Sequence, residues 1–459
     1  MTTLLPRRLA PVQYLLSIVA LANIILLGIV AANHLRFPLN LEPTETTVLE
    51  HVRRAMTGAP VYVEPTAQFT PLTSTPLFYY LSAGVARFAG LSLTTLREVT
   101  LLGAAGCAML LYLIALRETR SKWLALMTLG LFFAAYQALD GCYDAGHRDS
   151  WLVFLVLLGC YLIGYSETRL RDALGMLCLV AAFWMNQQGA LFVLGGLAYL
   201  VWRDVRSGAS ALRSWPSVVT AFLLGPALYL LLPTSFTGPT FHYFSGDLNR
   251  EEIRSFAEFL ARSFAVPAIL AGAGLQLSLE RGRPFGIWSF FLPVAFLSAV
   301  LALLTPGSNL NVFMPFGVWL MLTAVLALPR LTRTISWLDP LYFPAIALGL
   351  SFLALAYRPS EVLIPQVEAN AAYRDLLDYT RNLEGQAQGK RIYILNNTPL
   401  KTDSLLRYAA DSYVLERDLG DRFRVLGCLP RRNDGLWPRY LYRYDPQAAL
   451  RLSASQKRP

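Results

Sequence analysis

The sequence predicts an all-α polytopic membrane protein of about eleven transmembrane helices, with an elaborated first external loop and a small C-terminal α/β domain. Three observations predict it. The 459 residues are 55% hydrophobic and only 15% charged, whereas a soluble globular chain is about 45–50% apolar and about 25% charged. Apolar runs long enough to span a bilayer recur between residues 9 and 356. Arginine and lysine punctuate those runs in the manner of cytoplasmic loops. That placement accounts for the formal charge of +10 without a nucleic-acid partner, and no RNA- or DNA-binding motif accompanies it.

The elements follow in order. Pro6-Arg-Arg8 precedes an apolar run, 9–32, that is too long for a signal peptide and has no small-residue cleavage site. It reads as a retained first helix with its basic end inside. The next strongly helical run, 98–116, ends in the basic stretch Arg117 to Lys122, which makes it inward-running. Residues 33–97 are then one external loop. Within it, 76–90 is about 15 residues against the roughly 20 that span a bilayer. It reads as an interfacial helix with Phe78, Tyr79 and Tyr80 at headgroup level. Further spans are expected at 123–139, 151–165, 172–202 (two short helices broken at Asn186-Gln-Gln-Gly189), 215–232, 260–279, 285–304, 312–328 and 337–356. Residues 233–259 read as a polar external loop.

Residues 1–357 form the membrane domain, and 358–459 a soluble-looking external domain. The latter has a buried-strand pattern at Arg391-Ile-Tyr-Ile-Leu395, between amphipathic helical patterns at 371–383 and 402–411. The five cysteines are scattered, without metal-type spacing. Cys107, Cys160 and Cys178 read as apolar packing; Cys142 and Cys428 fall outside, with a disulfide between them the less favoured alternative to free thiols.

Every informative polar cluster falls on the external face. These are Glu42 and Glu45; Tyr143-Asp144-Ala-Gly-His147-Arg148-Asp149; Asn186-Gln187-Gln188; Phe241-His242 through Arg254; and Gly307-Ser-Asn309-Leu-Asn311. Each alone reads as a solvated helix end, with Thr44 as an N-cap and Asp144 and Asp149 as further caps. Five on one face read as a pocket at the depth of lipid headgroups. In such a pocket a carboxylate can act as general base on a hydroxyl, and arginine can hold a phosphate. A transporter or flippase is the alternative, but its polar residues belong at the bilayer midplane in broken helices.

Taken in order, these motifs resemble the type C (GT-C) integral membrane glycosyltransferases, in the branch similar to protein O-mannosyltransferases and aminoarabinose transferases. Glu42-Pro-Thr-Glu45 and Gly58-Ala-Pro-Val-Tyr62 resemble that family's acidic motif and first-loop turn. Phe69 to Tyr80 resembles its proline–aromatic segment, His147-Arg148-Asp149 its second external element, and Gly307-Ser-Asn-Leu-Asn311 its late external loop. The resemblance implies a polyprenyl-phosphate-linked sugar donor, a glycolipid, glycan or protein acceptor, and inverting transfer at the external or periplasmic face of the inner (plasma) membrane. It implies a first-loop carboxylate as base: Glu42 is favoured as nearer the membrane, with Glu45 the alternative. It also implies substrate contacts from Tyr62, His147, Arg148, Asp149, Gln187, His242, Arg250, Arg254, Asn309 and Asn311.

Three features depart from the family. Both leading acids are Glu where Asp is common. Thr73, Ser74 and Asn186 stand where relatives carry lysine, so phosphate binding falls to Arg148, Arg250, Arg254 or His242. Val312 replaces an aromatic. The pattern demands no cofactor; a divalent metal held by Glu42, Glu45, Asp144 and Asp149 is compatible with it.

Overall fold

The computed structural model describes residues 10–37, 41, 42, 44–63, 71–208, 214–231, 250–280, 286–304, 310–367 and 370, and the strand backbone at 392–394, 423–428 and 440–444. The first apolar run becomes α1, Pro11–Leu35, which opens on a proline where its missing N–H has no helical partner to lose. The external loop then folds into two short helices. α2, Glu45–Thr57, ends at Gly58 with φ +70°, the left-handed conformation that closes a helix C-terminus. α3 is Leu77–Ala89.

α4, Leu93–Thr119, and α5, Lys122–Ala134, are each capped by a serine hydroxyl, from Ser92 and Ser121. After a 3-10 turn at Gln137–Leu139 come α6, Asp149–Gly164, α7, Arg169–Met185, and α8, Gly189–Arg206. α9, Trp215–Phe222, passes through a widened turn at Leu223–Ala227 containing Pro226 into α10, Leu228–Leu231. α11, Arg250–Glu258, leads through a second widened turn into α12, Ala265–Glu280. α13, Ile287–Ala302, α14, Met314–Thr334, α15, Tyr342–Ala354, and the single-turn α16, Pro359–Val362, complete the described helices.

Each expected span coincides with helix, and four helical stretches, beginning at Pro11, Leu93, Glu252 and Leu310, are long and apolar enough to cross a membrane. Up to residue 367 the molecule is an all-helical membrane protein. Its outer face carries exposed Leu15, Ile18, Ile25 and Ile29 along α1, while α14 is enclosed, with Trp319, Leu322, Val325 and Leu328 fully buried. Small residues set the crossings, as expected where apolar area gives no preference between lipid and protein. A Cβ on Gly159 would lie 2.8 Å from the Gly175 carbonyl, and one on Gly130 would lie 2.5 Å from the Ala20 Cβ. These contacts hold α6 against α7, and α1 against α5, and so fix the helix ends that carry the polar residues.

Three expectations are corrected. Phe78 and Tyr79 are buried, not interfacial; only Tyr80 is exposed. α3 packs on α2, α4 and α7, so its aromatic face covers the loop's own interior, and Tyr79 lies 4.4 Å from the His51 ring. Residues 250–258 are helix, not loop, and run on to Glu280; Arg254 and Glu258 make an i,i+4 ion pair along it, which favours helix. The strand expected at 391–395 is present as β1, Ile392–Ile394. It belongs to an antiparallel sheet of order β1-β3-β2 with two strands not foreseen, β2 at Phe423–Cys428 and β3 at Tyr440–Tyr444. The helical patterns at 371–383 and 402–411 lie outside the described residues. Cys142 is a free, buried thiol.

Candidate active site

Two acids of the first loop have opposite surroundings. Glu45, the first residue of α2, is wholly buried, as is Arg97 near the start of α4. Arg97 Nε donates to Glu45 Oε1 at 2.9 Å and Nη2 to Oε2 at 2.7 Å. The backbone N–H of Gly146 donates to Oε1 and that of Leu41 to Oε2, each at 2.7 Å. Both oxygens of Glu45 are therefore doubly bonded. Arg97 Nη1 also donates to the carbonyls of His34 and Phe37, at 2.8 and 2.6 Å. This pair ties the end of α1, the first loop, α4 and the loop before α6 into one unit. A buried bidentate pair is costly to break from one side, about 3–5 kcal/mol.

Glu42 is half-buried. Its Oε2 accepts from the Thr44 N–H at 3.0 Å and the Thr44 hydroxyl at 2.6 Å, and no described hydrogen bond reaches Oε1. Thr44 occupies the N-cap position of α2 but makes no side-chain cap bond; its hydroxyl serves Glu42 instead. Burial, with the Glu45 charge adding, raises the Glu42 pKa above the ordinary carboxylate value, against the opposing pull of His147 and Thr44.

His147 is close enough to this carboxylate for the two charges to act on each other. Its backbone N–H donates to the Thr100 hydroxyl oxygen at 3.1 Å, and that hydroxyl donates to the His147 carbonyl at 3.0 Å. His147 Nδ1 lies 2.8 Å from Asp149 Oδ2, and Asn311 Nδ2 donates to the same oxygen at 2.6 Å. Asp149 is the first residue of α6, where unpaired N–H groups and the helix dipole favour an anion. Burial works against charge on His147, but the Asp149 carboxylate, assisted by Glu42, outweighs it and raises the imidazole pKa. The half-buried Arg148 sits close enough for its charge to act on His51, Tyr62 and His147.

Other residues named from the sequence brace this cluster. The Tyr62 hydroxyl donates to the Ser74 carbonyl. Gln187 Nε2 donates to the Thr73 carbonyl at 2.5 Å, and its Oε1 accepts from the Thr75 N–H at 3.3 Å. His51 is buried, with Nδ1 2.7 Å from the Thr47 carbonyl and Nε2 accepting from the Leu72 N–H at 3.0 Å. Burial lowers its pKa to about 3, so it is neutral. Together they fasten residues 72–75 between α2 and the break ahead of α8. Asp144 lies elsewhere: Oδ1 accepts from the Tyr136 hydroxyl at 2.8 Å and Oδ2 pairs with His34 Nδ1 at 2.9 Å. Arg250 is exposed, and Arg254 is an exposed partner of Glu258; no described bond joins either to Glu42, His147 or Asp149. His242 and Asn309 lie outside the described residues.

Cys142, His147 and Asp149 present ligand atoms within 4.8 Å of one another, all three buried. Sulfur, nitrogen and carboxylate donors of this kind suit a zinc-like cation, and Asn311 would be the outer hydrogen-bond partner that fixes Asp149. Sequence reading expected a set of carboxylates instead, although Cys142, His147 and Asp149 stand close together in the chain. It also missed Arg97, which reads as a helix-end charge, and Thr100. The available signal was an arginine near the start of a long, mostly apolar helix, downstream of two acids.

No protein-family model and no curated protein sequence matches the chain. Its fold, however, belongs to a known class. It aligns with the crystal structure of ArnT from Cupriavidus metallidurans bound to undecaprenyl phosphate at TM-score 0.54 and 14% identity, over 83% of this chain and 82% of that one. The apo state of that ArnT aligns at TM-score 0.49 and 14% identity, over 75% and 77%. The arabinosyltransferase EmbB from Mycobacterium smegmatis aligns at TM-score 0.45 and 16% identity, over 73% of this chain and 32% of that one. The likeness to type C membrane glycosyltransferases implied by the ordered motifs holds at the level of the fold.

Proposed function

We propose that this protein transfers a sugar from a polyprenyl-phosphate donor to an acceptor hydroxyl at the external face of the membrane, with Glu42 as general base. The observation that carries this assignment is the contrast between the two acids. Glu45 has both oxygens saturated by Arg97, Leu41 and Gly146, whereas Glu42 keeps Oε1 unbonded among the described residues. Support for the donor class comes from the ArnT-like fold, since that ArnT was crystallised with undecaprenyl phosphate.

In the reaction, Glu42 Oε1 takes the acceptor's hydroxyl proton. The acceptor oxygen bonds to the anomeric carbon from the face opposite the phosphate. The anomeric C–O bond to phosphate breaks, its electron pair leaves with the polyprenyl phosphate, and the configuration inverts. Phosphate leaves readily, so one base and cationic stabilisation of the departing group suffice. Arg148 and protonated His147 supply the positive charge, and Asp149, held by Asn311, keeps His147 protonated and oriented. A divalent cation bound by Cys142, His147 and Asp149 would need His147 neutral, and would supply the counter-charge for the phosphate in place of the imidazolium.

The test uses purified protein in liposomes with labelled lipid-linked sugars and an envelope-lipid acceptor pool. Sugar transfer with inversion, lost in Glu42→Gln, is expected. Movement of the label across the bilayer without any transfer product would assign the protein to the transporters instead.

A further inference from the structure

The chain that leaves the membrane helices is tied to the end of α1. Ile364 exchanges two hydrogen bonds with the Asn33 side chain, its carbonyl accepting from Nδ2 and its N–H donating to Oδ1, each at 2.9 Å. Gln366 Nε2 donates to the Asn33 carbonyl at 2.9 Å. His34 Nε2 lies 2.7 Å from the Val362 carbonyl, while its Nδ1 pairs with the buried Asp144. Gln137 Nε2 reaches Glu361 at 3.2 Å. The side chain of Ile364 is buried with Phe37, and Leu41 packs against the two. Leu41 is the residue immediately before Glu42, and its N–H is one of the donors to Glu45.

A connector held only by chain continuity would not need a reciprocal amide clamp, a histidine bridge and a shared apolar plug. We propose that residues 361–366 are a strap that positions Glu42, with Asn33 holding the strap and Ile364 pressing on Leu41. This rests on Glu42 being the base. The connector that leads to the C-terminal strands thereby becomes part of the catalytic base's support, and any ligand or partner that pulls on it acts on the base. The route is short: Ile364 to Leu41 by packing, then Leu41 to Glu42 by the chain, with Glu45 and Arg97 as the fixed floor.

The test uses the full-length protein in nanodiscs, with Asn33→Ala, Ile364→Ala and Ile364→Val, and with Val367→Ala, at an exposed position beyond the plug, as control. Three quantities are read: kcat and KM for the lipid-linked donor, and amide hydrogen exchange over residues 41–45. Asn33→Ala and Ile364→Ala are expected to lower kcat on the order of tenfold, since small misplacements of a reacting group are costly. Their KM should change less than about twofold, as for an interaction that serves the transition state alone. Exchange at 41–45 should quicken in both, while Ile364→Val and Val367→Ala should match the parent. Unchanged exchange in both clamp variants would overturn the strap, whatever the kcat. Unchanged kcat with quickened exchange would also overturn it, provided that Glu42→Gln is inactive. If Glu42→Gln is active, the base assignment fails instead, and the exchange result alone decides whether the strap holds the loop.

Discussion

The protein carries one charged cluster at each end of α6, roughly 24 Å apart at 1.5 Å per residue, and the two are built differently. At the far end, Arg203 donates to both oxygens of Asp172, at 2.9 and 2.7 Å, and to Asp204 at 3.1 Å. The other Asp204 oxygen accepts from the Ser214 hydroxyl. Each carboxylate oxygen there has a donor, and the cluster staples the ends of α6, α7 and α8 together. At the near end, Glu45 and Arg97 make a similar staple, but Glu42, His147 and Asp149 accompany it with an oxygen of Glu42 unbonded among the described residues. Both ends show how a membrane protein closes its helix termini. The near end adds a group with protonation left to spare, and chemistry requires that difference.

Substitutions should separate the two ends. The largest effect on folding belongs to Glu45→Gln, which leaves Arg97 buried with half its partner: a loss of about 3–5 kcal/mol, seen as reduced thermal stability and poor recovery of folded protein in detergent. The far-end counterpart, Arg203→Met, should lower stability by less, because that arginine is partly exposed. Its transfer rate per folded molecule should be unchanged; a changed rate would show that the far end also serves the reaction.

Arg148→Ala should weaken donor use, read as a rise in KM and a fall in kcat together, with Arg148→Lys recovering only part, since lysine cannot offer the two-pronged contact to phosphate. A smaller, more specific effect is a moved pH profile. Glu42 must be ionised, so the rate should rise with pH through its raised pKa. His147 must be protonated, so the rate should fall as pH passes its own raised pKa. Asp149→Asn removes the main cause of the second shift and should move the alkaline limb to lower pH while leaving the acid limb in place. Arg254→Ala should do least: it breaks only an exposed i,i+4 pair that water and salt screen, and a large loss of transfer there would mean that this helix end reaches the donor.

The fold was legible in the sequence wherever one property dominated. Long apolar runs placed the spans, and the polar break at Asn186 to Gln188 separated α7 from α8 as expected. Run length also showed that α3 is too short to cross. Its side of burial was not legible, because Phe78 and Tyr79 face α2 and His51, a tertiary contact that periodicity does not encode. At the site, Glu42, His147, Arg148, Asp149 and Asn311 were named from the sequence. The sequence favoured Glu42 over Glu45 only by nearness to the membrane; their different surroundings were not legible, since these depend on Arg97 and Gly146, residues far along the chain that come to Glu45 only on folding. The bonds of Gln187 and Tyr62 to the Thr73 and Ser74 carbonyls were not legible for the same reason: a buried amide or phenol looks alike in sequence whatever it bonds.

The most direct measurement compares Glu42→Gln with the parent protein in nanodiscs, reading undecaprenyl phosphate binding and sugar transfer on the same preparation. With Glu42 as the base, binding stays within a few-fold of the parent and transfer falls by about 10²–10⁴, the range a positioned general base contributes. Transfer at the parental rate with binding intact would contradict that role.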